Sequence, residues 1–126
     1  MIAQGNGMDG KFAYLGLFLV VAANIVGQVL FKVTADYVRA HPEQGMAAYV
    51  SNPWIWVALA LYGSAIVLWI KVLQSVPLSV AYPAMALVFV FVPLAGVVVF
   101  EETQGIRFFA GIVLIALGIW LTSVRP

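Results

Sequence analysis

Four long apolar stretches, at residues 12–35, 54–76, 78–100 and 106–124, occupy nearly all of this 126-residue chain. About 20 mainly apolar residues are needed to cross a hydrocarbon core of roughly 30 Å. Lipid offers no hydrogen bonds to backbone N–H and C=O groups, so each stretch is expected to be a helix. The short alternating segments that mark a membrane barrel do not occur. Hydrophobic residues make up 64% and charged residues 9%, whereas about a quarter of an ordinary soluble domain is charged. The expected fold class is therefore all-α. It is an integral membrane four-helix bundle in one domain at 12–124, preceded by a polar tail at 1–11 that carries Gly5, Gly7 and Gly10.

Several function classes are excluded or disfavoured by what surrounds these spans. Lys11 followed by an apolar run resembles a secretion signal, but the run continues through Ile25, Val26 and Phe31. That exceeds the usual signal core of about 7–15 residues, so a retained span is expected. There is no cysteine, hence no disulfide framework and no thiolate metal site. The net charge of +1 gives no nucleic-acid surface. No P-loop, dinucleotide fingerprint or metal-binding histidine motif is present, so no metal or cofactor is expected. The single histidine, His41, reads as a solvated loop residue beside Pro42. No acid–base–nucleophile set is visible, which speaks against an enzyme.

The loops set the order of the spans. Residues 35–53 form the one sizeable loop, in which the stretch 46–50 has the composition of a short interfacial helix. Trp54 and Trp56 open the second span, where an aromatic belt belongs. The turns after the second and third spans are tight, so the second, third and fourth helices are expected to pack in sequence. Four spans put both ends on one side, with Lys11, Lys71 and Arg125; Lys32, Arg39 and Arg107 fall on the other. This even split defeats the positive-inside rule. It leaves open either dual insertion, with antiparallel dimers, or one topology set by a partner or by an uneven weighting of these charges. Gly111 and Gly118, seven residues apart, share a face of the last helix and form a candidate dimer interface.

Polar residues inside spans are costly and therefore candidate functional groups. Asn24, Gln28 and Lys32 recur every four residues and line one face of the first helix. Lys71 ends the second span, and like Lys32 it can snorkel to the interface or hold an anionic head group. The two lysines lie on opposite sides of a single chain, and only an antiparallel dimer brings them together. In the third span Tyr82 presents a ring and a hydroxyl, and Pro93 is expected to kink the helix. Glu101 and Glu102 follow it, as solvated acids, as partners of a substrate amine, or paired with Arg107 across the turn.

The stretch Val72-Leu73-Gln74-Ser75-Val76-Pro77-Leu78-Ser79-Val80-Ala81-Tyr82-Pro83 resembles the segment leading into the third helix of the drug/metabolite transporter superfamily. The likeness is to its four-helix members, the small multidrug resistance exporters and the flippase subunits for aminoarabinose–phosphoundecaprenol. Gly27-Gln28-Val29-Leu30-Phe31-Lys32 resembles the "G-Q-x-x-x-K" of the flippase subunits. Phe100-Glu101-Glu102 resembles the family's acidic helix ending, and Gly111 with Gly118 resembles the exporters' dimerising glycines. The exporters' membrane carboxylate, however, is matched here by Asn24, which cannot titrate. Their aromatic after the Tyr82 position is matched by Met85, which has no cation–π face.

The resemblance implies an SMR/EamA-like, dimer-forming carrier in the cytoplasmic (inner) membrane of a bacterium. Its expected cargo is a polyprenyl-phosphate-linked sugar, bound by Asn24, Gln28, Lys32, Lys71, Tyr82 and Glu102, with a homo- or heterodimer as the working unit. A proton-coupled exporter of organic cations or polyamines is the alternative, with Glu101 or Glu102 as the acid. A non-transporting accessory subunit of a membrane glycosyltransferase is the third reading.

Overall fold

A computed structural model describes residues 9–124; the glycines at 5 and 7 and Arg125 lie outside them. The described residues are helical with no strand. The elements are α1 (Gly10–Ala40), a 3-10 turn (Pro42–Gln44), α2 (Ala47–Ser51), α3 (Pro53–Leu73), α4 (Leu78–Met85), α5 (Val88–Val99) and α6 (Ile106–Ser123). Among the described residues, four helices are long and apolar enough to cross a membrane: α1, α3, the α4–α5 pair taken together, and α6. The first outruns its apolar core at both ends, so Lys11 is already helical and Asp36 and Arg39 still are.

Local chemistry explains the boundaries. The side chain of Asn52, buried between α2 and α3, accepts a hydrogen bond from Trp54 N at 2.9 Å, and Pro53 occupies the first turn. An asparagine cap followed by proline is a strong helix start. The Trp56 indole donates to Val50 O at 2.9 Å and ties α2 to α3. Thr34 and Ser64, polar residues within helices, bond to the carbonyls of Leu30 and Ala60 four residues back, so neither brings an unsatisfied hydroxyl into lipid.

The third span is interrupted, but nearly two turns before the expected place at Pro93. The helix runs unbroken through Pro93, and the break falls at Ala86–Leu87. There the bonds shorten to the three-residue pattern, with Leu87 N donating to Ala84 O, Phe89 N to Ala86 O and Val90 N to Leu87 O. Pro83 and Pro93 each delete one intrahelical donor. The turn between them takes up the misfit by tightening.

Lateral order follows the sequential packing expected of short turns only in part: the fourth span packs on the third, but α3 meets α4 little. The long α1 is the centre of the bundle. It packs most extensively on α3, and along its other side on α4 and α5, while α6 leans on α4 and α5 and meets α3 little. Short turns force antiparallel direction but leave side-by-side contact to the packing surfaces. In lipid, those surfaces are chosen by close approach of small residues rather than by hydrophobicity. The α1 face carries Ala13, Gly16, Val20 and Gly27, all buried, and α3 answers with Ala58 and Ala65. Near the chain ends, Ala13 and Leu17 meet Val72, Val76 and Ala81 in a small core flanked by Trp69. The start of α1 therefore lies beside the end of α3.

Candidate functional site

Two of the cavities along α1 hold sequence-derived candidates, and Tyr62 of α3 lines the second. The first, about 420 Å³, lies between α1 and α5. Gln28, Lys32 and Ala35 form one wall, Val92, Pro93 and Gly96 the other, and Phe100 and Glu102 close its end. The second, about 160 Å³, is bounded by Asn24, Tyr62, Trp69, Tyr82 and Met85.

The first cavity brings opposite charges together. Lys32 Nζ sits 5.9 Å from the centroid of the Phe100 ring, within cation–π range. The same ammonium pairs with Asp36 Oδ1 at 3.0 Å. Glu102 reaches the cavity because α5 ends in a folded-back cap. Phe100 N and Glu102 N both donate to Gly96 O, at 3.2 and 3.4 Å. Between them Glu101 adopts φ 54°, the left-handed conformation common just past a helix end. That turn lays the Glu102 carboxylate over Gly96, where an added Cβ would stand 2.8 Å from Oε2. Gly96 is thus the space the acid occupies.

Tyr62 lines the second cavity and is hydrogen-bonded to Gln28, which lines the first. Its hydroxyl accepts a hydrogen bond from Gln28 Nε2 at 2.8 Å and donates to Asn24 O at 3.4 Å. Its ring stacks on Phe31 with centroids 5.1 Å apart. It lies so close to α1 that a methyl group at Gly27 would overlap it. Removing the hydroxyl alone, Tyr62→Phe, keeps the ring and the stack. It frees Gln28 to rotate, and should leave stability, measured by denaturant unfolding, within about 1 kcal/mol, the range of one net hydrogen bond.

The sequence-derived candidates are thereby sorted. Gln28, Lys32 and Glu102 share one cavity. Asn24 and Tyr82 line the other, and Tyr82 is largely exposed. The Asn24 amide donates to Val20 O of its own helix at 3.0 Å, which takes up one of its two N–H donors. Lys71 lines neither cavity. It lies at the opposite end of the bundle, roughly 25–30 Å from Lys32 by helix rise. Among the described residues, neither glutamate pairs with Arg107; the ion pairs are Lys32–Asp36 and Arg39–Asp36. His41 is half-buried rather than freely solvated. It caps α1, with Nδ1 2.9 Å from Tyr37 O and its ring stacked on Tyr37. Gly111 and Gly118 have open space beyond them, and α6 has no buried residue.

Tyr62 is the residue that sequence reasoning missed. A lone tyrosine within an apolar span has no periodic pattern to mark it. The available signal was the Gly27 position, since a glycine inside a helix face invites a large ring opposite.

The chain is similar to several curated proteins. It is 40% identical over 96 residues to the probable 4-amino-4-deoxy-L-arabinose-phosphoundecaprenol flippase subunit ArnE of Pseudomonas aeruginosa, covering 76% of this chain and 84% of that one. The proteins of the same name from Proteus mirabilis and Serratia proteamaculans are 38% identical over 113 residues and 36% identical over 115. These cover 90% and 89% of this chain, and 98% of each relative. No family model matches the chain, and no solved structure matches it.

Proposed function

The chain belongs to the family of probable 4-amino-4-deoxy-L-arabinose-phosphoundecaprenol flippase subunits, and from that premise we propose how its cavities serve a lipid-linked aminosugar. It is a multi-pass membrane protein, and on this reading it resides in the inner membrane of a bacterium and moves its cargo between leaflets. The supporting observation is that Lys32, Gln28 and Glu102 face one cavity of about 420 Å³, within the usual size range of small-ligand sites. A phosphate-linked aminosugar carries a negative charge at the phosphate and a positive one at the amine. Lys32 would hold the phosphate, Gln28 a sugar hydroxyl and Glu102 the amine. The prenyl chain would stay in lipid, so only the head group needs a polar route. Asn24 and Tyr82, on the far side of Tyr62, would supply the next polar contacts along that route.

The relatives' designation as subunits supports an assembly of more than one chain. The glycine face of α6, with nothing against it in the single chain, is the surface we assign to a homo- or heterodimer. An antiparallel pair would bring one Lys71 beside the other chain's Lys32.

The test is reconstitution into vesicles carrying aminoarabinose-linked phosphoundecaprenol on one leaflet. A membrane-impermeant amine reagent then reports the lipid's arrival on the other. The protein, alone or with a co-expressed subunit, should accelerate that arrival; no acceleration in either form would refute the reading. Glu102→Gln should lower the preference for the amine-bearing head group over a neutral sugar about tenfold, the worth of one charge-assisted hydrogen bond. The presence of Glu102 in the cavity also supports a second reading, export of an organic cation. Proton-driven uptake of such a cation into inverted vesicles, abolished by Glu102→Gln, would favour it instead.

A further inference from the structure

Lys32 is not a bare cation awaiting an anion. Its ammonium lies 3.0 Å from Asp36 Oδ1, and Arg39 Nη2 reaches the same oxygen from the next turn at 3.2 Å. The three charges form a ladder along the end of α1, from the cavity outwards. Lys32 lines the cavity, Asp36 is 35% exposed and Arg39 is 80% exposed. Together they carry one net positive charge, and one carboxylate oxygen serves both cations.

We propose that Asp36 is the counter-ion that a phosphate must displace from Lys32, and that this exchange sets how readily the head group is released. The proposal rests on the reading that Lys32 holds the phosphate. A lysine beside lipid with no counter-ion would bind a phosphate firmly, because charge pairing strengthens away from water. A carrier that binds so firmly releases slowly. An acid on the adjoining turn changes this balance. It weakens phosphate binding by its own negative charge, and it offers Lys32 a partner to return to when the head group leaves. Arg39 holds Asp36 in place and remains the outermost cation. A phosphate arriving from the loop side meets Arg39 first and Lys32 second, while Asp36 passes from two cations to one. Asp36 acts here through Lys32, as a positioning residue. An ordinary helix-surface ion pair at the same spacing would add slightly to stability and would leave phosphate affinity unchanged.

The experiment measures binding of undecaprenyl phosphate and of uncharged undecaprenol to the full-length protein in nanodiscs, beside transport in vesicles. Asp36→Asn should bind undecaprenyl phosphate about two- to fivefold more tightly, a shift of the size expected for one neighbouring charge. It should leave undecaprenol unchanged and lower the maximal transport rate. Asp36→Glu should behave as the parent, which separates loss of charge from loss of fold. The double variant Lys32→Gln, Asp36→Asn should lose the gain. Unchanged or weaker phosphate binding in Asp36→Asn overturns the proposal, as does a full gain in the double variant. If Lys32→Gln alone loses phosphate affinity while Asp36→Asn does not tighten it, only the exchange fails. If Lys32→Gln alone changes nothing, the phosphate reading of Lys32 fails, and the exchange with it.

Discussion

Lys32→Gln should reduce transport of the phosphate-linked lipid by about ten- to a hundredfold and leave the fold nearly unperturbed. The expectation follows from two interactions of different size. A hydrogen bond to a charged group contributes about 1.5–3 kcal/mol, and each 1.4 kcal/mol is tenfold in binding or rate. The pair that Lys32 makes inside the protein, to Asp36 four residues on, contributes only about 0.3–0.5 kcal/mol. Its side chain is 40% exposed, so truncation leaves no buried void. A large functional loss with thermal unfolding shifted by no more than about 2 °C is therefore the signature of a head-group ligand. Lys32→Arg keeps the charge but replaces a point-like ammonium with a planar fork, and should recover part of the rate. Full transport by Lys32→Gln, measured in the same vesicles, would remove the phosphate-binding role.

Gly27→Val is expected to damage stability and transport together. The Tyr62 ring occupies the space where a side chain at Gly27 would stand. That ring carries the stack on Phe31 and the hydrogen bond from Gln28. Overpacking a close contact costs about 1–3 kcal/mol, and here the misfit falls on the α1–α3 seam that organises the bundle. Displacing the ring also releases Gln28 at the wall of the charged cavity, so transport should fall by about tenfold or more. The decisive measurement is a double-mutant cycle. Tyr62→Ala alone removes the ring, and Gly27→Val added to it should then be nearly silent in unfolding by denaturant. If Gly27→Val is equally harmful with and without Tyr62, the two residues are not in contact and α1 packs on α3 in another way.

The site was only partly readable from the chain. The i, i+4 spacing of Asn24, Gln28 and Lys32 predicts one helix face, and α1 carries them so. The packing of α3 then divides that face, because Tyr62 lies against Gly27 between the neighbours of Asn24 and those of Gln28. Glu102 was identified by its position after the third span, but its route into the cavity depends on the left-handed turn at Glu101 and the space over Gly96. Neither follows from residue type alone. The ladder of Lys32, Asp36 and Arg39 follows helical spacing, yet only once α1 is known to continue past its apolar core as far as Ala40. Lys71 was legible in advance: the count of spans puts it on the opposite side from Lys32, and the antiparallel packing of α1 on α3 keeps it at the other end of the bundle.

What the sequence by itself determined is that this chain crosses a membrane as four helices, and which few polar groups go in with it. Length and polarity suffice for that, because lipid leaves the backbone no other way to satisfy its hydrogen bonds. What only the tertiary structure decided is the lateral order of the helices and the grouping of their polar residues. All four spans are comparably apolar, so hydrophobicity cannot rank one neighbour over another. The choice falls to close contacts such as Gly27 against Tyr62 and Gly96 beneath Glu102, and these place Lys32 and Glu102 at one cavity.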